Sequence, residues 1–408
     1  MLQARRHTVF VLITIALALL LLELTAVVAE RLAPAWNGAP IVPLSQRYEG
    51  VRHSAQQILA DRPTALATFD GKLGWKLRPA SENGPDRINA QGLRADRDYA
   101  PQPPPGVLRV AVFGDSFVYG SEVSGPESWS AQLERLRPDI EVLNYGVPGY
   151  GPDQAYLRFS QEGLALQPRV AMLAITTPAL RRLVTVSIAL QSASADFLGK
   201  PRYVLDARGE LQLLPNPVDS LDKVRALVDE PQRIRELGAH DYWYDRAVFE
   251  NPLYDWSHAV RVSVTAGSLL WRRLGDPDRP LAGSPGGATF NPDSEGFRIL
   301  TRIIEAFVRD VRQRQAVPLI LLLPDGYSTA GARAGGVGVM STVADWCTRQ
   351  KLDCLDGEKA FAGDAGGVDP EQWFIRRFHY TPLGNERVAR WLERELRDRQ
   401  LLPPAPQR

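Results

Sequence analysis

Histidine is scarce in this chain, with five residues in 408. An imidazole-based proton-transfer centre therefore has few places to sit. His7 falls in a basic and apolar N-terminal stretch, His53 in the segment after it, and His240 and His258 where the core pattern is interrupted. Only His379, in Phe378-His-Tyr-Thr-Pro-Leu-Gly-Asn385, lies after the last strand pattern and just before the last helical one. Cysteine is scarcer still: Cys347 and Cys354 are the only two. Two cysteines without neighbouring histidines do not fill a zinc shell, so no metal site is expected. Excess charge is also missing, since 48 Lys+Arg against 47 Asp+Glu leave +1. A general nucleic-acid binder needs a basic face, which sets that class aside. No internal repeat is visible. No glycine-rich phosphate cradle is present either, and no cofactor is expected.

What the chain does have begins with its first thirty residues. Arg5, Arg6 and His7 precede an apolar run from Val9 to Leu22, then Glu23, then Leu24 to Ala29. The positive end favours a cytoplasmic N-terminus and an exported remainder. One reading is a cleaved signal peptide, with Val27-Val28-Ala29 as the cleavage site. The other, which the length of the run favours, is an uncleaved signal-anchor over residues 1–33 that reaches the roughly 20 residues a spanning helix needs.

Residues 34–106 form an approach segment. Turns are expected at Asp70-Gly-Lys-Leu-Gly-Trp75 and at Asn89-Ala-Gln-Gly-Leu-Arg94, and Pro103-Pro-Pro-Gly106 is a stiff linker. The core domain, 107–399, then alternates. Strands are predicted over Leu108–Phe113, Ile140–Leu143, Val170–Ile175, Val317–Leu323 and Leu352–Leu355. Helices are predicted over Asp153–Gly163, over Ser294 to about Arg314, and from the Thr381-Pro382 cap to near Arg399. Such alternation means a parallel sheet covered on both faces. Residues 185–290 read as an insertion. It carries a hairpin over Lys200–Leu213 and aromatic-rich stretches at Asp241–Asp245 and Leu253–Trp256, for which helix is one open reading. Gly283–Thr289 reads as a flexible link, and residues 400–408 as a disordered tail.

The chain is organised around Val110-Ala-Val-Phe-Gly-Asp-Ser-Phe-Val-Tyr-Gly120. A buried strand stops at Gly114-Asp115-Ser116 and a helical stretch begins near Ser128. Open α/β sheets bind ligands at the carboxyl ends of their strands. A serine there becomes a nucleophile once a base accepts its proton, and the loop carrying His379 should return to the same edge. Asp115 is read as fixing the turn through nearby N–H groups.

Together these blocks resemble the SGNH/GDSL hydrolase superfamily, in particular its membrane-anchored bacterial members, over roughly residues 70–395. Gly114-Asp115-Ser116 matches the nucleophile motif, and Asn144-Tyr-Gly-Val-Pro-Gly149 the second block. His379 with Gly384-Asn385 matches the block that supplies the base, and Asn89–Arg94 a stretch preceding the sheet in anchored members. The resemblance implies a flavodoxin-like three-layer sandwich with a mostly parallel five-stranded sheet behind an N-terminal transmembrane helix. It implies a serine esterase or O-acyltransferase acting through an acyl-enzyme on an acylated envelope or secreted glycan. Ser116 would be the nucleophile and His379 the base, with the Ser116 and Gly149 N–H groups as the oxyanion hole. The expected location is the inner membrane, single-pass, with the catalytic domain in the periplasm.

Two departures qualify the match. The third block is typically Gly-x-Asn-Asp, yet Pro178 in Ile175-Thr-Thr-Pro-Ala179 falls about where the donor asparagine belongs, leaving Thr176 and Thr177 as neighbouring donors. The acid three residues before the histidine is replaced by Arg376, so Asp369 is assigned to orient His379, with Glu371, Asp325 and a Ser-His pair without an acid as alternatives. These departures support a second reading: a catalytically weak or inactive protein of the same fold that binds glycan or partners polysaccharide-assembly proteins. The exported location permits a disulfide between Cys347 and Cys354. Spacing leaves both states open.

Overall fold

The computed structural model describes residues 2–33, 35–36, 39–62, 65–191, 197–283, 288–361 and 370–402. It divides into two compact units. One comprises Met1–Ala60, Thr185–Gly199 and Ser220–Asp276, and the other Asp61–Val184, Lys200–Asp219 and Pro277–Arg408. The sheet strands are β1 (Leu108–Gly114), β2 (Ile140–Gly146), β3 (Val170–Thr176), β4 (Val317–Leu323) and β5 (Cys354–Asp356). The helices used below are α1 (Leu2–Leu32), α2 (Leu44–Ala60), α3 (Ser116–Tyr119), α4 (Trp129–Leu136), α5 (Pro152–Glu162), α6 (Ala179–Leu183), α7 (His258–Leu274), α8 (Glu295–Gln313) and α9 (Pro382–Asp398).

In the second unit, all five strands run parallel in the order β5-β4-β3-β1-β2. This is the doubly wound order whose switch point lies between β1 and β3, where ligands bind. Alternating residues of β1 serve opposite faces. Ala111 and Phe113 pack with Phe159 of α5 and Leu300, Ile303 and Phe307 of α8. Val110 and Val112 pack with Leu133 of α4 and Val388, Leu392 and Leu396 of α9. A strand buried on both faces reads as a continuous apolar run, so these strands were visible in the sequence. Ser294 caps α8 by accepting from Phe297 N, and Thr381 caps α9 by accepting from Gly384 N.

Outside the sheet, expectation and structure part in places. The approach hairpin pairs Ala67–Asp70 with Gly74–Leu77, and the insertion hairpin pairs Arg202–Leu205 with Leu211–Leu214. The aromatic stretches 241–245 and 253–256, for which helix is one reading of the sequence, are turns flanking Arg246–Phe249 and α7. Their Asp and Asn side chains explain this. Asp241 accepts from Trp243 N, Asp245 from Ala247 N and Asn251 from Leu253 N, the local bonds that compete with helix. Cys347 and Cys354 are disulfide-bonded, with Cα atoms 6.1 Å apart. Leu402 packs into the core face lined by α9. Residues 284–287 of the expected link and 403–408 of the tail lie outside the described residues.

Arg109 ties the edge of the sheet to its surroundings. It is fully buried and donates from Nε to Glu141 Oε2 at 2.8 Å and from Nη1 to the carbonyls of Ala100 and Leu166 at 2.8 and 2.6 Å. Breaking a buried pair by removing one partner costs about 3–5 kcal/mol. Glu141 also keeps Arg97 at 3.0 Å. Arg109→Ala is therefore expected to lower stability by about 3 kcal/mol, the low end of that range. Urea unfolding followed by fluorescence checks this.

Candidate active site

The site is assembled at the carboxyl end of β1. Gly114 ends the strand, and a Cβ there would stand 2.5 Å from Val118 Cγ2 and 2.9 Å from Ala174 Cβ. No larger residue fits between the strand end and the helix that follows. Asp115 caps α3: its Oδ1 accepts from Phe117 N at 2.9 Å. Its Oδ2 accepts from Thr176 Oγ1 and from Arg182 Nη1, both at 2.7 Å. The carboxylate is thus saturated, as befits a residue that holds the turn. Ser116 follows as the first residue of α3 and is buried.

His379 arrives from the other end of the chain. It sits in a hairpin of Phe374–Ile375 with His379–Tyr380, whose turn residues Arg376 and Arg377 have φ of 50° and 60°. Arg377 O accepts from Gly326 N, and Tyr380 donates from its hydroxyl to Pro324 O at 2.8 Å. Asn385 of α9 accepts from Trp129 N at 3.0 Å and donates to Thr381 O, which secures the end of the loop against α4. The outcome is a distance of 2.9 Å between His379 Nε2 and Ser116 Oγ. The Phe117 ring stands edge-on to the imidazole, with centroids 5.1 Å apart.

Behind the imidazole, Nδ1 faces Glu122 Oε2 at 3.6 Å. Glu122 lies on the loop after α3, six residues beyond the serine, with its side chain half exposed. Of the acids assigned from sequence, Asp369 lies outside the described residues. Asp325 caps the helix Gly326–Arg333 through Ser328 N, and Glu371 is exposed and pairs with Arg377 at 3.3 Å. Sequence reasoning missed Glu122 because it searched upstream of the histidine. The only local signal was a carboxylate near the motif.

The Glu122 loop is itself held. Arg94, the last residue of the Asn89–Arg94 stretch, is buried. It donates to Tyr119 O at 2.8 Å, to Val123 O at 2.6 Å and to Gly120 O, and its guanidinium lies 4.1 Å from the Tyr119 ring centroid. Those carbonyls bracket Glu122, whose φ of 68° is unusual for a residue with a side chain.

Gly149 has φ 86°, the left-handed region that suits glycine. Neither its N–H nor that of Ser116 donates to a protein acceptor among the described residues. Pro178 caps α6 and has no N–H to give. Thr176 has spent its hydroxyl on Asp115. One turn further on, Arg182 brings a guanidinium to the same edge. It is fastened to Asp115 and, at 2.9 Å, to Tyr150 O. Lys200 Nζ donates to the Arg182 carbonyl at 3.2 Å and pairs with Asp153, both partners fully buried. Among the described residues, no cluster of His, Cys, Asp and Glu could hold a metal ion.

Burial holds the His379 pKa below its usual 6.5, partly opposed by the Glu122 and Asp115 carboxylates and aided by the Arg182 cation. The imidazole is therefore neutral at pH 7, as a proton acceptor must be.

The parallel five-stranded sheet, with a Gly-Asp-Ser turn at the end of β1, agrees with the fold expected from the sequence motifs. No family model matches the chain, and no curated protein matches it. Solved structures that are similar include a lipolytic protein of the G-D-S-L family from Desulfitobacterium hafniense, at 15% identity and TM-score 0.34, covering 70% of this chain and 98% of that one. Another is a lipase/acylhydrolase from Enterococcus faecalis, at 12% identity and TM-score 0.36, covering 74% and 100%. A third is a point variant of an acetyl-xylooligosaccharide esterase from a Geobacillus, at 12% identity and TM-score 0.34, covering 71% and 95%. At such identities and TM-scores the likeness says nothing of what this chain does.

The geometry makes a direct prediction. NMR titration of the imidazoles, with His379 assigned by its loss in His379→Gln, should give His379 a pKa below 6.5. The Glu122 charge stabilises the imidazolium and so raises that pKa. Glu122→Gln should therefore move it further down. An unchanged value would mean that the carboxylate does not act on the ring.

Proposed function

We propose that this protein is a membrane-anchored, extracytoplasmic serine esterase or O-acyltransferase of SGNH type that acts on an acylated envelope or secreted glycan. The observation that carries the reading is the 2.9 Å contact of Ser116 Oγ with His379 Nε2, backed by Glu122 at Nδ1. Ser116 Oγ attacks the ester carbonyl carbon while its proton passes to Nε2. The tetrahedral oxyanion is received by the N–H groups of Ser116 and Gly149. The imidazolium, steadied by Glu122, returns the proton to the departing alcohol and leaves an acyl-serine. Water or a sugar hydroxyl then enters, gives its proton to His379 and takes the acyl group away, while His379 passes that proton back to Ser116 Oγ. Hydrolysis and transfer differ only in that second entrant. Arg182 fixes Asp115 and with it the nucleophile turn, and its charge adds to the field at the oxyanion side where Pro178 offers no donor. Arg5, Arg6 and His7, which precede the apolar run of α1, support an N-terminus inside and the folded units outside.

The missing donor at Pro178 also favours a second reading, in which the same site binds an acylated glycan with little turnover. Loss of one oxyanion donor can cost about 10²–10³ in rate.

Labelling of the detergent-solubilised full chain with a fluorophosphonate separates the two. The wild type should label, and Ser116→Ala and His379→Ala should not. Glu122→Gln should label about 10- to 100-fold more slowly, a smaller loss than the roughly 10⁴-fold seen for a buried triad aspartate, because Glu122 is half exposed. A folded wild type that fails to label, yet binds acylated glycan, would establish the second reading instead.

A further inference from the structure

In the first unit, the apolar helix α1 carries two carboxylates on its outer half, and both are built into the fold. Glu23 accepts from Ser257 Oγ, from His258 N at 2.9 Å and from Ala259 N at 3.3 Å, so it closes the start of α7. Glu30 pairs with His258 Nδ1 at 2.6 Å and with Arg261 Nη1 at 2.9 Å. Arg261 is fully buried and passes the order onward: its Nε donates to Tyr254 O at 3.0 Å and its Nη2 to Asp255 O at 2.9 Å. The Asp255 carboxylate accepts from Leu44 N and Ser45 N at the start of α2. Tyr254 turns inward and meets Thr265 Oγ1 at 2.9 Å. The same fixed turn holds Leu253 and Trp256 outward, 56% and 85% exposed. An apolar pair displayed by a turn pinned at this many points calls for an occupant.

We propose that the 251–257 turn enters the outer leaflet of the membrane that α1 spans, with Leu253 and Trp256 at the boundary between headgroups and acyl chains. This rests on the reading of α1 as a retained anchor. Two observations choose lipid as the occupant. The first is continuity: the turn is hydrogen-bonded to the helix whose residues from Val9 to Leu22 are exposed along their length. The second is depth. A span of roughly 20 residues, begun just past Arg5, Arg6 and His7, runs from Thr8 to Val27. Glu23 lies four residues short of that end, or about 6 Å inside it at 1.5 Å per residue. A carboxylate at that level persists only when it is partnered. Its partners, Ser257 and the first N–H groups of α7, must then share its level, and the turn just before them shares it too. Tryptophan is the residue favoured at this boundary. Cleavage after Ala29 would remove Glu23 and leave the start of α7 without its acceptor.

The test uses the full chain in vesicles of phosphatidylcholine and phosphatidylglycerol. Both native cysteines are in a disulfide, so Leu253→Cys and Trp256→Cys each offer one free thiol for an environment-sensitive NBD label. Nitroxide carried high on the lipid chain should quench at least half of the emission, and aqueous iodide little. Probes quenched by iodide and not by the lipid nitroxide would overturn the proposal. Probes shielded from both would also overturn it, and would assign the turn to a protein partner or a second copy. Alkaline carbonate extraction and the N-terminal mass are measured alongside. A protein stripped by carbonate, or beginning beyond Glu23, would overturn the anchor reading and this inference together. A membrane-integral protein with iodide-accessible probes would overturn the inference alone.

Discussion

The carboxylate of Asp115 is the constraint on which the site depends. It is buried at the mouth of the sheet, and a buried charge persists only when its lone pairs are taken. Three elements supply the donors: α3 through Phe117 N, β3 through Thr176, and α6 through Arg182. That one group therefore fixes the turn carrying Ser116, the end of the neighbouring strand, and a cation next to both. The motif's middle residue sets the geometry that brings the Ser116 hydroxyl to His379.

Around that centre, polar groups buried for structural reasons do the positioning. Asn144 donates to Val118 O and Ser130 Oγ and accepts from Gly146 N, bracing β2 against α3 and α4. Arg94 grips the three carbonyls around Glu122. The Lys200–Asp153 pair stands under Arg182. Removing any of these partners would strand a buried polar group, so the arrangement is rigid.

Much of the sheet could be read directly. Val110 to Phe113 and Leu319 to Leu323 are apolar at every position because both faces of a parallel sheet are covered, and local caps such as Ser294 and Thr381 mark their own helices. Ser116 and His379 were legible for different reasons: the serine by its motif, and the histidine because almost no other histidine was available. Glu122 was not legible. Its role follows from a loop conformation, left-handed at Glu122, that is imposed by an arginine 28 residues earlier. Arg182 was hidden likewise, since nothing in Ala179-Leu-Arg-Arg-Leu183 says which arginine turns to Asp115. The turns at 241–245 and 253–256 were not legible, because aromatic content does not show which aspartates and asparagines take local N–H groups.

The sequence by itself determined the parallel sheet, the order of its elements, the apolar N-terminal helix, and the serine and histidine, because each is written in local pattern or composition. Only the tertiary structure decided that Cys347 and Cys354 are joined, that Glu122 backs His379, and that Glu23 and Glu30 of α1 are bonded into the folded unit. Those pairings join residues from separate elements. They are set by where the packed core and its buried charges bring the backbone, and no periodicity along the chain encodes that.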